Sequence, residues 1–194
     1  MISEGDEKKQ QERARRIHEL LNKGARLLYQ RRPGEAVLAL EEAYTLDPEN
    51  VDVAINLGGA YVMQGRFSKA IPVLEAASQR APNNSMVWTN LAAAYLGRLE
   101  LSSREMQDRA IAAFERALQA NPGAPNVHYN LGLIYKERGD LKRAFAHFQR
   151  ALETDPNDRD ARFWLDWIQR AGEPGDEQQD PPAEEPDEPE GRFL

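Results

Sequence analysis

Apolar residues along this chain recur at offsets of three and four, which places them on one face of a helix. One stretch reads Ala54, Leu57, Gly58 and Tyr61. The same spacing returns as Trp88, Leu91, Ala92 and Tyr95, and again as His128, Leu131, Gly132 and Tyr135. A second pattern, ending in proline, occurs four times: Leu46-Asp47-Pro48, Arg80-Ala81-Pro82, Ala120-Asn121-Pro122 and Thr154-Asp155-Pro156. These prolines stand 34, 40 and 34 residues apart. Five residues before each is an Ala (Ala43, Ala77, Ala117, Ala151) and eight before is a larger apolar residue (Leu40, Leu74, Phe114, Phe148). Twelve before is another Ala (Ala36, Ala70, Ala110, Ala144). Gly65-Arg66-Phe67 and Gly139-Asp140-Leu141 mark turns between two helices.

The pattern predicts helix pairs in which large residues of the first helix fit against Ala of the second, where small side chains let two backbones approach. No pair buries its apolar face alone, so successive pairs stack and share one core. Proline cannot continue the second helix and so opens the next unit at a fixed place. The combined pattern resembles the tetratricopeptide repeat, in four copies at residues 17–50, 51–84, 85–124 and 125–158. That resemblance implies an all-α fold, a right-handed α-solenoid of four helix pairs. A further amphipathic helix over 159–171, with Phe163, Trp164, Trp167 and Ile168, is expected to cap the last pair.

Two units depart from the pattern. In the first, Lys23 stands where Leu is expected, and Gln30-Arg31-Arg32-Pro33-Gly34 replaces the simple glycine turn. A terminal unit has one face in solvent, so the lysine reads as capping. The third carries six extra residues around Leu99-Glu100-Leu101-Ser102-Ser103-Arg104, which predict a longer, protruding turn. Ser102 followed by Glu105 resembles a capping box that would start the second helix early.

Charge divides the chain into a body and a tail. Residues 172–194 hold nine carboxylates against Arg192, a net −8. The total of −7 therefore leaves +1 for residues 1–171. With five prolines as well, the tail is expected to be disordered and solubilising; docking of Arg192-Phe193-Leu194 into a groove is the competing reading. Residues 1–16 read as a charged extension of the first helix. A nearly neutral body argues against a nucleic-acid footprint, and no apolar run reaches membrane-spanning length. With no apolar secretory segment at its start, the chain is expected to be cytoplasmic. It has no cysteine, which removes disulfides, thiolate nucleophiles and cysteine metal sites.

Catalytic and cofactor constellations are not expected. His18, His128 and His147 fall at unrelated repeat positions, and His128 takes the slot of Trp88, which points to the core. Glu41-Glu42 reads as solvated charge, and Gly58-Gly59, inside a helix pattern, as close packing.

The resemblance implies instead that the first helices line a concave surface that binds a protein or peptide partner. Its sixth slot is Asn in every unit: Asn22, Asn56, Asn90 and Asn130. An amide offers both donor and acceptor to a peptide backbone regardless of its side chains. The same four Asn also fit inherited family consensus. Leu28, Tyr29, Val62, Met63, Met86, Leu96, Tyr129 and Leu133 are the expected apolar neighbours. Family members that grip a terminal carboxylate carry Lys and Arg at groove slots. Here those slots hold Leu21, Ala25, Asn56, Met86 and Asn90, or, one unit on, Ile55, Gly59, Asn90, Asn126 and Asn130. A carboxylate clamp is therefore not expected. Self-association into a scaffold is the competing account of the whole chain.

Overall fold

The computed structural model describes residues 4–171, and the acidic tail lies outside them. Nine α-helices run in order among the described residues: α1 (Glu4–Tyr29), α2 (Pro33–Leu46), α3 (Val51–Met63), α4 (Phe67–Arg80), α5 (Ser85–Leu96), α6 (Arg104–Ala120), α7 (Val127–Glu137), α8 (Leu141–Thr154) and α9 (Arg159–Ala171). They form an all-α solenoid. Each odd helix up to α7 packs antiparallel on the even helix after it, and α9 closes the end against α8.

Local chemistry sets the helix starts. Asn50 and Asn84 accept backbone N–H groups of α3 and α5, and Asp140 and Asp158 do the same for α8 and α9. The turns inside the second and fourth units place Gly65 and Gly139 at φ of 66° and 74°. In the first unit the left-handed residue is Arg31, at φ 57°, while Gly34 sits inside α2. In the third unit the cap of α6 is Ser103, which accepts from Met106 N; the expected cap, Ser102, lies one residue too early. The extra residues form a short 3₁₀ turn, Leu99–Leu101, with Leu101 78% exposed.

The core is a continuous layer between the helix pairs. Leu40, Leu74, Phe114 and Phe148 sit at its centre, each fully buried. A Cβ built on Gly24 or Gly58 would stand 2.5 Å from Leu40 or Leu74, and one on Gly132 would stand 2.6 Å from Phe148. At this slot the large residue belongs to the second helix and the small one to the first, the opposite of the placement expected from the sequence.

First helices α1, α3 and α5 lie side by side, but α5 and α7 fall short of that packing. The fourth unit meets the third through α6 and the 3₁₀ turn. Arg138, its side chain 13% exposed, ties the two units together. Its Nε donates to Gln107 Oε1 at 2.8 Å, and its Nη2 reaches the Arg104 carbonyl at 3.1 Å and Asp108 at 2.7 Å.

Candidate functional site

Four asparagines that look alike in sequence have four different surroundings. Asn22 is exposed and contacts His18 Nε2 at 2.9 Å, one turn earlier. Asn56 is half-buried and donates to the Asp52 carbonyl of its own helix at 2.8 Å. Asn90 is buried, and its Nδ2 donates to the Ile55 carbonyl of α3 at 3.2 Å. It thus pins two first helices together. Asn130 is 1% exposed with its Nδ2 unpartnered among the described residues. Wider spacing between α5 and α7 is why the bond made by Asn90 is not repeated there.

The apolar candidates also divide. Tyr29 is 91% and Met86 60% exposed, and Met63, Leu133 and Leu28 are half-buried. Leu96 and Tyr129, expected on the binding surface, are in the core instead, at 2% and 4% exposure, and Val62 is buried with them. Tyr129 packs edge-on against Phe148, with ring centroids 5.8 Å apart. Periodicity identifies the apolar face of a helix but does not reveal how much of that face a neighbouring helix covers. The structure leaves Asn22, Asn56, Tyr29, Met63, Met86 and Leu133 reachable on the first helices.

Three further clusters did not stand out in the sequence. Tyr61 donates to Glu41 at 2.5 Å with Lys69 above its ring, and 34 residues on Tyr95 donates to Glu75 at 2.6 Å with Arg109 above it. Burial, then the hydrogen bond to Glu41, pushes the Tyr61 hydroxyl up to about 12, and Glu75 acts likewise on Tyr95. Glu41, expected to be solvated, is therefore an inter-unit acceptor. Its neighbour Glu42 pairs with Arg16 at 2.7 Å. The shared repeat spacing of both Glu–Tyr pairs was the signal that could have revealed them.

The third cluster joins His128 on α7 to His147 on α8, Nδ1 to Nδ1 at 3.1 Å, with Tyr135 stacked on His147 at 5.4 Å. Burial pushes His147 down to about 4, and His128, Arg150 and Arg143 add to the shift. Burial and then Arg150 lower His128, against an opposing pull from Glu153. Both imidazoles are neutral at pH 7, one donating and the other accepting. A depressed folded value means the stabilisation is complete above the unfolded value near 6.5 and is lost as pH falls toward 4. After allowance for solvent screening at this half-exposed pair, the loss between pH 7 and pH 5 is expected to be about 1 kcal/mol. Urea unfolding at the two pH values should show it, and His147→Gln should flatten the difference; an equal difference in the variant would refute the assignment.

Among the described residues no group of three or more His, Asp or Glu is placed to hold a metal ion. Nor is any described helix long and apolar enough to cross a membrane.

A stack of antiparallel helix pairs that repeats at steps of 34, 40 and 34 residues defines a helical-repeat protein. Tetratricopeptide repeat profiles match residues 27–97 and 95–159, and the chain belongs to that family. The solved structure of a MamA mutant is 30% identical, with 80% of this chain and 87% of that one covered and a TM-score of 0.62. A thermophilic tetratricopeptide protein of Thermus thermophilus, TTC0263, is 21% identical over 80% of this chain and 82% of its own, with a TM-score of 0.68. The Cut9-Hcn1 hetero-tetramer of APC/C matches at 22% identity and a TM-score of 0.68, covering 77% of this chain and 29% of that one. No curated protein matches. Proteins of this family are generally non-enzymatic, and the chain is a protein–protein interaction scaffold.

Proposed function

We propose that the chain captures an extended or helical peptide segment of a partner protein along its first helices. Asn22 and Asn56 supply backbone hydrogen bonds, and Tyr29, Met63, Met86 and Leu133 supply apolar contact. Asn90, Asn130, Leu96 and Tyr129 form the floor that holds those helices in place. The observation that carries this reading is the exposure of Tyr29 and Met86 at 91% and 60%. With Met63 on α3 and Leu133 on α7, open or half-open apolar side chains recur on every first helix, and that recurrence, not a single exposed residue, supports a binding surface. The outer side of the cap helix is polar by contrast, with Arg159, Arg162, Asp166, Gln169 and Arg170 exposed. That contrast favours peptide capture over end-to-end self-association.

Magnitudes set the kind of ligand. Two reachable amides contribute about 2 kcal/mol, whereas a micromolar complex needs about 8 kcal/mol after ordering costs. Apolar burial must therefore dominate, and the ligand needs hydrophobic anchors.

A peptide-display selection on the full chain, beside an Asn56→Ala/Met86→Ser variant, tests the proposal. An apolar motif should be enriched, and the variant should bind it about tenfold or more weakly with unchanged melting. Lack of enrichment, or binding indifferent to both substitutions, would sink it.

A further inference from the structure

Among the described residues no helix comes before α1, and the outer side of the first unit differs from the rest. At the seventh slot of the first helix the inner units bury Leu57, Leu91 and Leu131, at 1%, 2% and 1% exposure. The first unit has an exposed Lys23 there. Beside it a crevice of about 210 Å³ opens between α1 and α2, walled by Leu20, Leu38 and Ala39 and rimmed by Arg16, Lys23, Glu19 and Glu42. Leu38 is 69% exposed in that crevice. Leu20 and Ala39 are themselves buried, so Leu38 is the apolar side chain that the crevice leaves open.

The rim itself is balanced, Arg16 and Lys23 against Glu19 and Glu42, and the positive charge lies along the chain on either side of it. From Arg13 through Arg32, seven cations (Arg13, Arg15, Arg16, Lys23, Arg26, Arg31, Arg32) stand against one carboxylate, Glu19, a net +6 in a body that totals +1. Including Glu35, Glu41 and Glu42 of α2 still leaves +3 from Arg13 through Leu46. Arg16 is engaged by Glu42 at 2.7 Å and Arg32 by Glu35 at 2.6 Å. None of the ion pairs among the described residues uses Lys23 or Arg26.

We propose that this crevice is the docking site of the chain's own acidic segment, residues 184–194, folded back within the same molecule. Five carboxylates (Glu184, Glu185, Asp187, Glu188, Glu190) precede Phe193 and Leu194. The two apolar residues cover Leu38, and the carboxylates run along Lys23 and Arg26. This matches sign to sign and apolar to apolar, in a place where an uncharged helix would leave Lys23 buried and unpaired.

Reach permits it. From α9 back to α1 are four unit steps of about 8–10 Å, roughly 40 Å in all. Proline-rich chain spans about 3.1 Å per residue, so the twenty-one residues from 172 to 192 cover about 65 Å. Tethering supplies an effective concentration of about a millimolar, which favours the same molecule over a second copy. End-to-end stacking of a second copy is disfavoured by charge, since Arg159, Arg162 and Arg170 outnumber Asp166 on the exposed side of α9. The proposal is independent of the peptide reading, because the crevice lies on the outer side of the first unit.

Because the chain has no cysteine, Gly191→Cys accepts a single nitroxide in the full-length protein. The expected result is loss of the amide signals of Lys23 and Ala39, with that of Ala146 in the fourth unit unaffected. The loss should persist on dilution. It should be absent when spin-labelled and isotope-labelled chains are mixed, and should weaken at about 1 M salt, where screening acts over roughly 3 Å. Lys23→Glu with Leu38→Ser, both exposed positions, should restore the signals. The proposal is overturned by signals unchanged everywhere, by loss centred on α9 or on α3, α5 and α7, by loss in the mixed sample, or by loss that survives the double substitution.

Discussion

Trp164→Ala is expected to lower stability by about 3–5 kcal/mol and to release the fourth unit before the rest of the solenoid. Trp164 is 2% exposed, stacked on Phe148 at 6.4 Å between centroids and met edge-on by Phe163 and Trp167. Lys136 Nζ lies 3.7 Å from its ring centroid. Removing the indole leaves a cavity against Phe148, which is itself the residue that seats over Gly132. Each unit in such an array is held by its neighbours, so damage to the cap spreads inward by one interface at a time. Hydrogen exchange should therefore lose protection in α7 and α8 while α3 and α4 keep theirs. Trp167, half-buried, should cost only about 1–2 kcal/mol on truncation. Equal losses for the two tryptophans, or a single cooperative loss across all units, would contradict this account of the cap.

Gly58→Val should cost about 2–3 kcal/mol, although valine removes the conformational freedom that makes glycine unfavourable inside a helix. The added Cβ would stand 2.5 Å from both Cγ and Cδ2 of Leu74, a fully buried side chain that must shift to make room. Valine adds two methyl groups to that overlap. Denaturant unfolding of Gly58→Val, Leu74→Ala and the double variant separates the causes. Leu74→Ala alone should cost about 2–5 kcal/mol through its cavity. The double variant should be more stable than the sum of the two losses predicts, because each change relieves the other. Strict additivity would mean the glycine is not there for close approach. Unit three carries Ala92 opposite Phe114 at the same slot. Gly58→Ala sets the same Cβ against Leu74 without the two further methyl groups, so it should cost less than valine.

The two readings from sequence fared differently for a physical reason. The helix pairs were legible because the 34-residue step repeats a complete local pattern: large residue, small partner, turn and proline stop. The degenerate first turn was legible only as a departure; that Arg31 would take the left-handed conformation, leaving Gly34 helical, depends on how α1 and α2 meet. Likewise the extra residues predicted a protrusion. The sequence did not show that the fourth unit would meet the third through α6, the 3₁₀ turn and Arg138 instead of through α5. The Asn slot illustrates the limit most clearly. Identical residues at identical spacing became a surface amide (Asn22), an intrahelical bond (Asn56), a staple between helices (Asn90) and a buried unpartnered donor (Asn130).

By itself, then, the sequence determined the helical class, the pairing of helices in a repeated unit, and the separation of a neutral body from an acidic tail. All of these depend on residues close in the chain, whose periodicity carries the geometry. Only the tertiary structure decided which first-helix residues stay open to a ligand, that Leu96 and Tyr129 do not, and that His128 meets His147. Those outcomes turn on the distance and angle between neighbouring helices. A shift of a few ångströms there covers or uncovers a side chain without changing the pattern along its helix.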